Sequence, residues 1–93
     1  MASSQRRYVV RFIGHVQGVC FRATCLHQAS GLRVNGFVRN EADGSVLLDV
    51  DGELSELKEL VARIRSAMTE NISEIVLDKR DSLQRSDGFH IAW

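Results

Sequence analysis

The apolar residues Leu54, Leu57, Val61, Ile64 and Met68 recur three and four positions apart, with Leu60 at the edge of the stripe. This spacing predicts one amphipathic helix whose apolar face must be covered. Asp51 is the expected N-cap, with acids in the first turn, and Glu59 and Arg63 stand one turn apart for an outward ion pair. The cover comes from alternating runs on either side. Ser45–Val50 reads as a strand burying Val46, Leu48 and Val50, and a run centred on Ile75-Val76-Leu77 reads as another within 72–80.

The first half repeats the arrangement. Tyr8–Ile13 is apolar on both faces, as a central strand requires. A helix is expected from Phe21 to about Ser30, with Phe21, Cys25, Ala29 and then Leu32 on one side, Gly31 as C-cap and His27 on the surface. Arg33–Asn40 is a strand in which Gly36 marks a close approach of backbone or ligand, and Asp43-Gly44 turns the chain back. Phe89–Trp93 alternates, with Phe89, Ile91 and Trp93 on one face. The order strand, helix, strand, strand, helix, strand, with a short fifth strand, predicts an α+β fold. It is a ferredoxin-like split β-α-β sandwich, with two helices on one face of an antiparallel sheet of four main strands. Such a small sandwich has no deep cavity, so its site belongs where loops meet at an edge.

Ninety-three residues make one domain, 1–93, with residues 1–6 expected to be flexible. No apolar run reaches membrane-spanning length and the basic start lacks a signal-like apolar segment, so a cytoplasmic protein without a membrane partner is expected. Asn71-Ile72-Ser73 fits a glycosylation acceptor that would then go unused. Cys20 and Cys25 face about 140° apart at helical spacing, which disfavours a mutual disulfide, and with one histidine nearby they have no metal-ligand spacing.

Formal charge is zero overall but uneven. Residues 1–40 hold six arginines and no acid, and residues 41–93 hold twelve acids against six bases. Either a positive half surrounds an anion site, or folding interleaves the halves and the field cancels. A neutral total argues against a nucleic-acid partner. Asn35-Gly36-Phe37-Val38 only loosely echoes an RNA-recognition module, lacking its basic residue and second aromatic.

Between the first strand and first helix lies Gly14-His15-Val16-Gln17-Gly18-Val19-Cys20-Phe21-Arg22. A glycine-bearing turn running into a helix start leaves several backbone N–H groups free to converge on an oxyanion, with Arg22 in reach as a charged fork. No lysine follows the second glycine, so the loop is not a nucleotide-binding one.

This stretch resembles the signature of the acylphosphatase family: glycine, any residue, valine, glutamine, glycine, valine, any residue, phenylalanine, arginine. The family's second signature is resembled by Gly36-Phe37-Val38-Arg39-Asn40 followed by Asp43-Gly44-Ser45-Val46. Two stretches depart from the pattern. Residues 67–71 replace a usual glycine–proline pair, and Trp93 stands where the family often ends in tyrosine.

The resemblance implies hydrolysis of the carboxyl–phosphate bond of small acyl phosphates, giving a carboxylate and inorganic phosphate, without metal, cofactor or phosphoryl-enzyme. It implies phosphate binding by Arg22 and by the loop His15, Val16, Gln17, Gly18, Val19 and Cys20, and a water oriented by Asn40. Cys20 occupies a variable place in this cradle, where oxidation would disturb phosphate binding. A monomer is the expected state. The competing expectation is a non-catalytic small-anion module.

Overall fold

A computed structural model describes residues 4–93. Its elements are β1 (Gln5–Gly14), α1 (Phe21–Gln28), β2 (Val34–Asn40), β3 (Val46–Glu53), α2 (Leu54–Ala67), β4 (Ile72–Asp81) and β5 (Phe89–Ala92). The flexibility expected of residues 1–6 falls in part on 1–3, outside the described residues, while Gln5 and Arg6 belong to β1.

The sheet order is β4-β1-β3-β2-β5. β1, β2, β3 and β4 pair antiparallel, as expected, and β5 joins β2 in parallel, making the whole sheet mixed. β1 is central, between β3 and β4, and both helices cover one face, α1 over β2 and β5 and α2 over β1 and β3.

The core follows the alternation. Tyr8, Val10 and Phe12 of β1, Val46, Leu48 and Val50 of β3, and Val34 and Val38 of β2 are buried beneath Phe21, Cys25, Leu57, Leu60 and Ile64 of the helices. Each such side chain contributes about 1.5–3 kcal/mol by leaving water. Leu60 lies in the middle of the α2 stripe and Val61 at its edge, the reverse of the expected order. α1 stops at Gln28 with Ala29 as its cap, and Gly31 takes the left-handed turn two residues later.

One expectation is overturned. Asp51 does not cap α2. β3 runs on to Glu53, which is itself the N-cap residue. Asp51 is buried on the sheet's other face, where it accepts hydrogen bonds from the Ser82 hydroxyl, the Leu83 N–H and Arg85. Asp49 beside it takes a two-pronged bond from Arg7, at 2.9 and 2.8 Å, and another from Arg85 at 2.8 Å. Residues 82–88 thus strap that face and deliver the chain to β5, with the Gly36 N–H bonded to the Gly88 carbonyl.

The strand directions dictate where the ends meet. β1 and β2 both run antiparallel to β3, and β5 runs parallel to β2. The C-terminal ends of β1, β2 and β5 therefore open at the same edge of the sheet.

Candidate active site

At that edge the 15–20 loop leaves β1, Asn40 ends β2 and Trp93 follows β5. Phe12 and Asn40 both pair with Val46, so all three side chains share the core face beneath the helices. Arg39 points to the opposite face, as strand alternation requires, where it bonds Glu41 at 2.8 Å and lies over the Phe37 ring.

The loop is held at both ends and in the middle. The Phe12 and Phe21 rings meet with centroids 5.2 Å apart, and Val16 is fully buried between them in sequence. Gly14 takes φ +136°, and a Cβ there would overlap the Asn71 carbonyl oxygen and stand 2.8 Å from the Ser73 nitrogen. The His15 N–H donates to that same Asn71 carbonyl at 2.9 Å, and the Asn71 side-chain nitrogen donates back to the His15 carbonyl at 3.1 Å. The acceptor-triplet asparagine is thus a pin for the loop.

Gln17 ties the loop to the hairpin beyond Asn40. Its side-chain nitrogen donates to the carbonyls of Glu41 at 2.8 Å and Ser45 at 2.9 Å. The hairpin is closed by Asp43, which accepts from the Ser45 hydroxyl and N–H. Those two bonds hold the Asp43 carboxyl below the usual carboxylate range. The Asn40 side chain takes no part in the turn and makes no hydrogen bond to a described residue.

Cys20 sits at the N-cap of α1 in the left-handed region (φ 61°, ψ 28°), and its carbonyl accepts from both the N–H and the hydroxyl of Thr24. The N–H groups of residues 16–20 and of the first helical turn, Phe21, Arg22 and Ala23, donate to no described residue. These unpaired donors and the helix start give the loop a positive field.

Val16, Gly18, Cys20, Phe21, Arg22, Asn40, Ile91 and Trp93 surround a cleft of about 370 Å³. Of the residues expected in the phosphate loop, Val16, Gly18, Cys20 and Arg22 line it. His15, Gln17 and Val19 do not: the His15 N–H and the Gln17 side-chain amide are engaged elsewhere, while the backbone N–H groups of Gln17 and Val19 donate to no described residue.

The charge question has a mixed answer. Arg7, Arg11 and Arg39 from the basic half pair with Asp49, Asp43 and Glu41 from the acidic half. Arg22 meets no carboxylate among the described residues. Its guanidinium lies 4.2 Å from the centroid of the Trp93 ring. Three of the six arginines of the basic half are thus neutralised and the cleft keeps its cation, ready for an oxyanion.

Sequence reasoning missed Trp93 as a partner of Arg22, because nothing in the alternation of 89–93 fixes which way β5 runs. It also missed the side-chain work of Gln17 and Asn71, whose partners are distant in sequence. Cys20 and Cys25 are both free thiols. No described helix is long and apolar enough to cross a membrane.

Residues 8–91 match the family model described as acylphosphatase. The acylphosphatase of Salinibacter ruber is 34% identical over 89 residues, which cover 95% of this chain and 94% of that protein. That of Sinorhizobium medicae is 32% identical over 92 residues, with 98% of each covered. The crystal structure of acylphosphatase from Bacillus subtilis superposes with a TM-score of 0.83 at 25% identity, over 95% of this chain and 99% of that one.

Proposed function

The chain belongs to the acylphosphatase family, and from that premise we propose that it hydrolyses acyl phosphates by in-line attack of water on a phosphoryl group held by Arg22 and the loop amides. The water is oriented by Asn40. The observation that carries this reading is the Arg22 guanidinium, which meets no carboxylate among the described residues, in one cleft with the Asn40 amide and backbone donors that have no acceptor among them.

The chemistry asks little of the protein beyond placement. A carboxylate is a good leaving group, so no strong acid is needed. Arg22 and the N–H groups at Gly18 and Cys20 neutralise the phosphoryl oxygens as charge redistributes in the transition state. The Asn40 side-chain carbonyl accepts one hydrogen bond from water and aims its oxygen at phosphorus, opposite the departing carboxylate. An amide is not a base, so the water proton passes to a substrate oxygen. Acyl phosphate dianion and water yield carboxylate and dihydrogen phosphate, with charge and atoms conserved.

No step needs a metal or cofactor, and the substrate and product are small. We place the enzyme in the cytoplasm as a monomer without nucleic-acid or membrane partners. Two free thiols suit a reducing compartment, and Arg22, Asn40 and the loop all come from one chain. Hydrolysis of benzoyl phosphate in 18O-water with chelator tests the reading. Turnover well above spontaneous decay, with label in inorganic phosphate, is expected. Label in benzoate would mean attack at the carbonyl carbon and would overturn it. No turnover by the folded protein would leave an anion-binding module.

A further inference from the structure

We propose that Trp93 forms the acyl subsite of this cleft and makes the enzyme prefer acyl phosphates with an aromatic acyl group. The inference rests on the cleft being the acyl phosphate site.

The register carries the first part of the argument. Arg39 pairs with Ala92 in the parallel β2–β5 ladder, so Trp93 comes next to Asn40, at the open edge and on the core face. The second part is exposure. Trp93 is 91% exposed, far more than any other large apolar residue described. An indole left so open has most of its surface available to a ligand.

Arg22 nonetheless meets one ring face, with its guanidinium 4.2 Å from the centroid. A phosphoryl group on that guanidinium is therefore already beside the ring. The acyl carbon is two bonds from phosphorus, so its substituent reaches the indole without further reorganisation. The polar groups of the cleft are engaged with phosphate and water in this reading. What remains for the acyl group is the apolar part of the lining, Trp93 with Ala23 and Ile91. A phenyl ring can stack or meet the indole edge-on, whereas an acetyl methyl covers little of it. The expected selectivity owed to the ring is roughly five- to tenfold.

Two non-hydrolysable probes with methylene in place of the bridging oxygen separate this from catalysis: phenacylphosphonate and acetonylphosphonate. Trp93 is the single tryptophan in the chain, so intrinsic fluorescence reports on this ring directly. In the wild type, phenacylphosphonate should bind about five- to tenfold more tightly by calorimetry and perturb the tryptophan emission more than inorganic phosphate does. In Trp93→Ala the two probes should bind nearly equally, while Trp93→Phe keeps most of the preference. The kcat/KM ratio of benzoyl to acetyl phosphate should follow the same order.

Equal affinities in the wild type would overturn the proposal. So would an unchanged ratio in Trp93→Ala, or an equal loss for both probes, which would confine Trp93 to holding Arg22. Failure of the folded wild type to bind any phosphonate or phosphate would remove the anion site and the subsite with it. Selective binding without turnover would contradict only the hydrolytic reading.

Discussion

Gln17 bonds the Glu41 carbonyl across 24 positions of sequence, at 2.8 Å, and the same nitrogen reaches Ser45. One side chain thereby fixes the distance between the loop that offers N–H donors and the strand end that carries Asn40. Gln17→Ala should lower stability by about 1–2 kcal/mol, the scale of losing two bonds to partly buried carbonyls. It should also cut kcat/KM for benzoyl phosphate about tenfold, since small misplacements of a positioned group are costly. Thermal melts and initial rates measured together check this. A normal rate at lowered stability would deny Gln17 a positioning role.

Gly36 takes φ +142° on β2, and a Cβ there would overlap the Asp49 carbonyl oxygen and stand 2.9 Å from the Val50 Cα. Both neighbours are backbone of a central strand and cannot give way. Gly36→Ala should cost about 3 kcal/mol or more. Gly44→Ala also meets a positive φ, +93°, but opens onto empty space, so it should cost about 1 kcal/mol. Urea titrations of the two variants give the comparison.

Asp49 makes stability fall in acid. Burial alone would push its carboxyl up, but the bonds from Arg7 and Arg85 and their charge reverse this and hold it below the ordinary value. A lowered folded pKa contributes stability above the unfolded value of about 3.9, and that contribution is lost as pH falls through the folded value. Asp49→Asn should lose about 3 kcal/mol at neutral pH, because Arg7 loses its carboxylate partner and Arg85 keeps only Asp51. It should also flatten the decline in urea midpoint below about pH 4. A wild-type decline as steep in the variant would assign the acid sensitivity elsewhere.

The two thiols should separate cleanly. Cys25 is buried and its thiol is pushed up to about 12 by that burial, which leaves almost no thiolate. Cys20 is exposed and lines the cleft. Iodoacetamide on the native protein should therefore add one group, at Cys20, found by mass spectrometry, and inorganic phosphate should slow it. Cys25 should react only on unfolding. Equal labelling of both in the native state would contradict the packing of α1.

Much of this was legible in the chain because it rests on local periodicity. Alternation at Tyr8, Val10 and Phe12 announces a strand, and the stripe from Leu54 to Met68 announces a helix. The two motifs single out Arg22 and Asn40, which the fold brings to one cleft. Three things could not be read. Asp51 resembles a helix cap in sequence, and only the return of Ser82, Leu83 and Arg85 makes it a buried partner. The His15 N–H looks available until Asn71, 56 positions away, accepts it. Trp93 looks like one more alternating aromatic until the parallel pairing of β5 brings it over Arg22. Each depends on a contact between distant segments, which no local pattern encodes.

The central claim is that Arg22 holds phosphate while Asn40 aims water, and steady-state hydrolysis of benzoyl phosphate by folded Arg22→Ala and Asn40→Ala tests it most directly. Removing one such group costs about 10²–10³ in rate at comparable sites. Asn40→Ala should lose kcat by that order, with KM and competitive inhibition by inorganic phosphate nearly unchanged. Arg22→Ala should lose kcat/KM at least as much and lose the phosphate inhibition too. Wild-type kcat in Asn40→Ala, or undiminished phosphate inhibition in Arg22→Ala, would contradict the account.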